Sequence, residues 1–178
     1  MQILRTSRLT LRTLAEDDAA FILELLNDLG WLRYIGDRGV RTLDDARRYI
    51  VDGPAAMQLR HGFSLYLVER AKDGAALGLC GLIRRAGLAD VDIGFAFLAR
   101  HRGQGYASEA AEAVMAHATG PLGLTRIVGI TLPENAASIR LLGQLGLAFE
   151  RTVTLPGSDE VLMLFGYGPD PAAADAGS

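Results

Sequence analysis

A short loop, Arg102-Gly103-Gln104-Gly105-Tyr106-Ala107, joins a run of strand-forming residues to a run with helical periodicity. Its two glycines allow tight turns and leave the backbone N–H groups uncovered by side chains. The helix expected over residues 106–118 begins with N–H groups that have no internal partner and carry partial positive charge. A strand, a glycine loop and a helix start together predict a phosphate site, and a pyrophosphate suits it best. Arg100 and His101 add positive charge beside the loop, although a solvated turn would have the same composition.

Asp92 is the first candidate for a catalytic base. It is a carboxylate inside the otherwise apolar strand-like run 91–98, two residues before Gly94. Because successive strand residues alternate between faces, a solvent-facing position is equally compatible with the sequence. Glu134 is a second candidate, although a carboxylate there also favours the start of the following helix. His101 is a third, with phosphate contact or solvent exposure as its alternatives.

The composition limits the class of protein. The chain has 178 residues, 49% of them hydrophobic, which is enough for one domain with a substantial core. A net charge of −3 argues against general nucleic-acid binding. No stretch resembles a signal peptide or a membrane span, so we expect a cytoplasmic protein. The single cysteine, Cys80, is expected to be a buried apolar residue, and no pair of histidines has metal-ligand spacing, so no metal site is predicted.

The order of predicted elements is β-α-α-β-β-β-α-β-α-β-β, which indicates a mixed α/β domain. Thr42 to Asp45 resembles a capping box at the start of the second helix, and Gly53-Pro54 should interrupt that helix. The predicted strands cover residues 3–14, 63–70, 77–85, 91–98, 126–132, 149–155 and 161–167, and the helices cover 15–29, 42–50, 106–118 and 133–145.

These elements predict a central sheet of about seven strands with four helices. The sheet should be mostly antiparallel, because short turns join its middle strands. The crossover helix 106–118 should make strand 126–132 parallel to strand 91–98. Residues 1–167 form the predicted single domain, and residues 168–178 the predicted disordered tail.

Three motifs resemble those of the GNAT N-acetyltransferases, and they follow one another along the chain in the family's order. The resemblance covers about residues 4–167. The first is Arg102, Gly105 and Ala107, which match the family's signature of Arg or Gln, Gly, and Gly or Ala. The second is the helix motif that runs from Pro133 through Ser138 to Leu-Gly-Leu at 145–147. The third is the opening segment at residues 6–12. Within the family, the chain is most similar to the branch of bacterial ribosomal-protein N-terminal-alanine acetyltransferases.

This resemblance implies acetyl-CoA as the cofactor. Its pyrophosphate would bind the N–H groups of residues 103–107, and its pantetheine arm would run between strands 91–98 and 126–132, which splay apart in the family. Residues Phe97, Leu98 and Ala99 would offer backbone hydrogen bonds to that arm. A backbone N–H near Leu98 would stabilise the oxyanion.

The resemblance also implies roles for individual side chains. Relatives often have Glu where this chain has Asp92, which supports Asp92 as the base. Asn135 would contact the cofactor arm or the acceptor region, and Ser138 would face the sulfur. Many GNAT enzymes use a tyrosine as the acid where this chain has Leu142, so Ser138 becomes the candidate donor, either by proton transfer or by hydrogen bonding to the thiolate.

Trp31 and Tyr34 lie in the region that forms the acceptor pocket in relatives. They are therefore candidates for substrate binding, with Arg33 and Arg38 nearby. The alternative is that the two aromatic side chains anchor this segment to the core.

The sequence therefore predicts an acetyl-CoA-dependent N-acetyltransferase that acts by direct attack of a primary amine. The acceptor would be a protein N-terminus or a small amine, without nucleic-acid or membrane partners, and the protein would be a monomer or a homodimer. A non-catalytic acyl-CoA-binding or sensing module is the alternative. A dinucleotide-binding domain has weaker support, because the third glycine of its motif is replaced by Ser108.

Overall fold

The computed structural model describes residues 1–171, and its elements group into two compact units. The first consists of Met1–Ile83 and Gly94–Val114, and the second of Arg84–Ile93 with the chain from Met115 onward. The single domain predicted for 1–167 stays a prediction. Most of the tail predicted to be disordered, residues 172–178, lies outside the described residues.

The first unit contains hydrogen-bonded strands in the order β1-β2-β3-β4-β5, where β5 belongs to it from Gly94 onward. The pairs β1/β2, β2/β3 and β3/β4 are antiparallel, as the short turns predict. The strands are β1 (Gln2–Arg5), β2 (Leu9–Thr13), β3 (Leu65–Arg70), β4 (Ala76–Ile83) and β5 (Asp92–Phe97), and the helices are α1 (Ala19–Leu26), α2 (Leu29–Tyr34), α3 (Leu43–Ile50), α4 (Ala56–His61) and the start of α5 (Tyr106–Thr119).

Two predictions in the N-terminal part are wrong. The single strand predicted for 3–14 is a hairpin of β1 and β2, whose turn is closed by the Thr6 N–H donating to Leu9 O over 2.9 Å. The helix predicted for 15–29 ends at Leu26, and a new helix begins at Leu29 because Asp28 accepts a hydrogen bond from the Gly30 N–H. Leu29 is 84% exposed.

The predicted capping box and helix interruption are both confirmed. The Thr42 side chain accepts from the Asp45 N–H, and the Asp45 carboxylate accepts from the Thr42 N–H. After α3 the chain forms a π-helical turn at Val51–Ala55 that contains Pro54. Proline lacks the N–H that an α-helix requires, which explains the change in geometry.

The second unit continues from β5 with the strand order β5-β6-β8-β7. Its elements are β6 (Ile127–Thr131), α6 (Ala136–Gln144), β7 (Ala148–Val153) and β8 (Leu162–Tyr167). β8 is antiparallel to both β6 and β7, whereas β5 and β6 are parallel, with Asp92 opposite Val128. The mixed α/β class and the parallel pair are therefore confirmed, with eight strands rather than about seven.

Apolar side chains of α1, α2 and α3 pack against the sheet of the first unit. Their buried cluster includes Ile22, Leu25, Trp31 and Ile50, together with Leu67 of β3. In the second unit the buried Arg126 pairs with Asp90 and Glu150 at the start of β6, because a buried charge needs partners. No helix within residues 1–171 has the length and apolar character that a membrane crossing requires.

Candidate active site

The loop after β5 has the geometry of an anion site. A 3-10 turn at Ala99–His101 leads into it, and Gly103 and Gly105 adopt φ values of +74° and +80°. The first bond of α5 is donated by the Glu109 N–H to Gly105 O over 3.1 Å. No backbone bond within residues 1–171 is donated by an N–H of 103–108, so this row of donors is available to a ligand. A pyrophosphate fits this donor set, and a Cβ at Gly103 would meet no atom within 4 Å.

The Arg102 side chain, 48% of which is exposed, forms hydrogen bonds within the protein. Its Nε donates to Phe97 O over 3.0 Å, and its Nη2 donates to Asp28 Oδ1 over 2.7 Å. Burial alone would raise the pKa of Asp28, but the hydrogen bonds from Arg102 and from the Gly30 N–H lower it overall. Arg102 therefore fixes the position of the loop relative to the cap of α2.

Backbone groups at the end of β5 form hydrogen bonds within the protein. The Leu98 N–H donates to Leu77 O over 3.1 Å, and Leu98 O accepts from the His101 N–H over 2.9 Å. Ala99 O accepts from the Arg102 N–H over 3.2 Å. The Leu98 N–H is therefore paired within the protein, and the prediction that a backbone N–H near Leu98 stabilises the oxyanion stays a prediction. The carbonyl oxygens of Phe97, Leu98 and Ala99 each retain a second lone pair for a ligand.

Asp92 is buried, with 1% of its surface exposed, so the solvent-facing interpretation is wrong. Its Oδ2 accepts a hydrogen bond from Arg85 Nε over 3.0 Å, whereas no group within residues 1–171 bonds to its Oδ1. Burial raises the pKa of Asp92, and the charge and hydrogen bond of Arg85 offset this only in part. A buried carboxylate with one unpartnered oxygen and a raised pKa has the properties of a proton acceptor.

Asn135 caps α6 through its side-chain oxygen. Oδ1 accepts from the Ser138 N–H over 3.2 Å, which leaves the Nδ2 group without a hydrogen bond to the described part of the chain. Leu142, where many relatives have tyrosine, is buried and packs on Gly129 of β6, where an added Cβ would lie 2.5 Å from Leu142 Cδ2. Ser138 places a hydroxyl on the first turn of α6.

Trp31 and Tyr34 differ in their surroundings. Trp31 is 5% exposed and belongs to the apolar core of the first unit, which favours the interpretation that it anchors α2. Tyr34 is half-buried, and the guanidinium of Arg33 lies 4.9 Å from the centre of its ring. Tyr34 is accordingly the better placed of the two to meet a ligand.

Arg8 is a site residue that the sequence analysis did not assign. Its Nη1 donates to Gln104 O over 2.9 Å, and its Nε donates to Glu109 Oε2 over 2.6 Å. The partners are 96 and 101 positions away in the sequence, so no local pattern reveals them. The occurrence of Arg8 in the opening motif at 6–12 was the one available signal.

Comparisons with known proteins establish the family. A family model described as acetyltransferase (GNAT) domain matches residues 8–148, and the chain therefore belongs to the GNAT acetyltransferases. The uncharacterized N-acetyltransferase YoaA of Bacillus subtilis is 30% identical over 154 residues, which cover 83% of this chain and 84% of YoaA.

Solved structures share the fold. An acetyltransferase from Agrobacterium tumefaciens has a TM-score of 0.79 at 23% identity, covering 93% of this chain and 94% of that one. The structure of RimL, a ribosomal alpha-N-protein acetyltransferase in complex with coenzyme A, has a TM-score of 0.76 at 18% identity, covering 96% and 99%. The protein is an N-acetyltransferase, and its acetyl donor is acetyl-CoA.

Replacing Gly103 by alanine should weaken coenzyme A binding. A Cβ at φ +74° costs roughly 1–2 kcal/mol, and the loop would relieve that strain by turning its N–H groups away from the ligand. Calorimetric titration should therefore show an affinity for coenzyme A that is roughly 5- to 30-fold lower. Gly74→Ala is the matched control, because Gly74 has φ +72°, open surroundings and a position in the β3–β4 turn. It should lower thermal stability without changing the affinity, and equal losses of affinity in both variants would contradict this assignment.

Asn135→Asp separates the two roles of this side chain. An aspartate oxygen caps α6 as well as the amide oxygen does, so thermal stability should be unchanged within about 0.5 kcal/mol. The variant lacks the Nδ2 donor, and the KM for acetyl-CoA or the acceptor should rise if that group meets a ligand. Asn135→Ala should lose about 1 kcal/mol of stability in denaturant unfolding. Full activity in the aspartate variant would show that Asn135 acts only as a cap.

Proposed function

We propose that this protein transfers the acetyl group of acetyl-CoA to a primary amine by direct attack, with Asp92 as the general base. The observation that carries this assignment is the buried Asp92 carboxylate, whose Oδ1 has no hydrogen-bond partner among residues 1–171. It lies on β5, five residues before Phe97, in the strand that leads to the anion-binding loop. The base and the cofactor-binding segment are thus consecutive parts of one stretch of chain.

The loop after β5 would hold the donor. The N–H groups of residues 103–107 donate to the pyrophosphate, and the positive end of α5 favours its charge. Acetyl-CoA supplies an activated acetyl group as a thioester. The carbonyl oxygens of Phe97, Leu98 and Ala99 accept hydrogen bonds from the amide groups of the pantetheine arm.

Asp92 would make the acceptor nucleophilic. An alkylammonium ion has no lone pair for attack, so a proton must leave it first. Arg85 holds Asp92 Oδ2, which directs the remaining lone pairs of Oδ1 toward the incoming amine or a bridging water. Because burial raises the pKa of Asp92, the carboxylate accepts that proton more readily than an exposed aspartate would.

Ser138 would stabilise the leaving group. Its hydroxyl lies at the start of α6, where the helix dipole also favours negative charge. A hydroxyl is a weak acid at neutral pH, so a hydrogen bond to the departing thiolate supports its departure. The free Nδ2 of Asn135 adds a second donor on the same turn.

The similarity to RimL and the sequence motifs support a protein N-terminus as the acceptor. RimL is an alpha-N-protein acetyltransferase, and the motifs of this chain resemble the same functional branch. A protein N-terminus is therefore the first acceptor to test, and a small amine is the second. Tyr34 and the neighbouring Arg33 are the side chains that we assign to acceptor binding, with Trp31 as their anchor.

Asp92→Asn should lower kcat/KM by roughly 10²- to 10⁴-fold while leaving coenzyme A affinity intact. In the wild type the base must be deprotonated, so kcat/KM should fall as the pH drops through the raised pKa of Asp92, above its ordinary value of 3.8. The variant should lose this acidic limb. Asp90→Asn is the control, because Asp90 pairs with Arg126 and should affect stability alone. An unchanged pH profile in Asp92→Asn would assign the base elsewhere.

A thiol-release assay with acetyl-CoA should identify the acceptor. The panel should contain peptides with free N-termini, the same peptides with blocked N-termini, polyamines and aminoglycosides. We expect turnover with free N-terminal peptides and none with the blocked ones, because only the former have a primary amine at the chain end. Turnover restricted to polyamines or aminoglycosides would move the acceptor to the small-amine class. Tight binding of acetyl-CoA without turnover on any member would instead favour a sensing module.

A further inference from the structure

Arg8 connects the β1–β2 turn to the anion-binding loop through several contacts. Besides its hydrogen bonds to Gln104 O and Glu109 Oε2, its guanidinium carbon lies 4.6 Å from the centre of the Tyr106 ring. Its Nη2 lies 3.2 Å from the point where a Cβ on Gly105 would stand. One planar cation thus lies against four residues of the loop and of the first turn of α5, namely Gln104, Gly105, Tyr106 and Glu109.

The contact with Gln104 O sets the direction of one peptide group. In a trans peptide the C=O and the following N–H are coplanar and point in opposite directions. Because Gln104 O points toward Arg8, the Gly105 N–H points away from Arg8. No backbone acceptor within residues 1–171 bonds to that N–H. Arg8 therefore holds the carbonyl side of the peptide and leaves the donor side open.

Glu109 is the second partner, and it is unusually well supplied with donors. Its carboxylate accepts from Thr6 Oγ1 over 2.5 Å, from the Arg8 N–H over 3.0 Å and from Arg8 Nε over 2.6 Å. Burial alone would raise the pKa of Glu109, but these hydrogen bonds lower it overall, so the group is anionic. An uncompensated carboxylate on the first turn of α5 would repel a phosphate, and Arg8 neutralises it.

We propose that Arg8 is a positioning residue for the cofactor loop, which it holds open for the phosphate groups of acetyl-CoA before the ligand arrives. This inference rests on the proposed assignment of loop 103–107 to the cofactor pyrophosphate. The advantage is preorganisation: a loop that is already in its binding conformation loses less conformational entropy when the ligand binds. Arg8 acts through Gln104 and Glu109 rather than on the reacting atoms.

The inference predicts that loss of Arg8 weakens the binding of a ligand that contains the pyrophosphate and leaves the binding of a ligand without it unchanged. We would measure the Kd of coenzyme A by calorimetry and the Kd of pantetheine by NMR titration, for wild type, Arg8→Ala and Arg8→Lys. Loss of charge-assisted hydrogen bonds should weaken coenzyme A binding by roughly 10- to 100-fold in Arg8→Ala. Pantetheine lacks the pyrophosphate, so its Kd should be unchanged. Arg5→Ala, an exposed arginine on the same hairpin, is the control and should match the wild type for both ligands.

Arg8→Lys distinguishes positioning from charge. Lysine restores the charge, but its single ammonium group does not reproduce the planar pair of donors that reaches Gln104 O and Glu109 together. We therefore expect the lysine variant to retain most of the defect in coenzyme A binding. Because lysine also preserves the aliphatic stem, this variant tests the inference even if Arg8→Ala fails to fold.

Three results would overturn the inference. Equal coenzyme A affinity in wild type and Arg8→Ala would show that the loop does not need this contact. A parallel loss of pantetheine binding in Arg8→Ala would indicate general damage to the fold. Wild-type coenzyme A affinity in Arg8→Lys would show that Arg8 contributes only its charge. A wild-type protein that binds pantetheine but shows no added affinity for coenzyme A would refute the phosphate site itself, which is a separate failure of the proposed function.

Discussion

A loop that binds an anion through its backbone must be held in place without using its own N–H groups. In this protein side chains from distant parts of the chain satisfy that constraint. Arg102 bonds to Phe97 O and Asp28, and Arg8 bonds to Gln104 O. Both arginines take carbonyl or carboxylate oxygens, and no backbone bond in the described part of the chain, residues 1–171, is donated by the N–H groups of 103–108. The two glycines permit the turns, but the arginines determine which way the peptide groups face.

The Asp92 carboxylate is likewise held by an arginine, Arg85. Burial of a charged group costs several kcal/mol unless partners compensate it. A purely structural aspartate would have both oxygens satisfied, as Glu150 has when its two oxygens accept from the buried Arg126. Asp92 has one oxygen paired with Arg85, and the other has no partner in the part of the chain that the structure describes. Burial raises the pKa of Asp92 more than Arg85 lowers it, which supports the proposed role in proton transfer.

Local patterns predicted much of this fold, and the errors have physical causes. Thr42 and Asp45 form the predicted capping box because such a box involves only four consecutive residues. The turn between β1 and β2 was missed because Thr6-Ser7-Arg8 contains no glycine, proline or asparagine. The extension of the first helix to Leu29 was wrong because Asp28 starts a new helix, and apolar periodicity does not reveal such a break.

Some parts of the candidate site could be predicted from the sequence, and others could not. The loop at 102–107 was visible because its glycines, the strand before it and the helix after it are contiguous. The burial of Asp92 was not, since the alternation of a strand allows either face. The pairing of Arg8 with Glu109 joins positions 101 residues apart, and only the folded chain brings them together.

The residues of the family motifs act in two different ways in the structure. Gly103 and Gly105 act through the backbone conformations they permit, whereas Arg102 and the Asn135 oxygen hold elements of the protein together. A motif residue can therefore support a binding loop by holding the protein together rather than by offering its own side chain to a ligand. On the proposed assignment of loop 103–107 to the cofactor, the donors belong to the backbone, so mutations would alter them only through the groups that orient the peptides. On the same proposal, affinity for the cofactor depends on how firmly the loop is held, and Arg8 in the β1–β2 turn is one of its determinants.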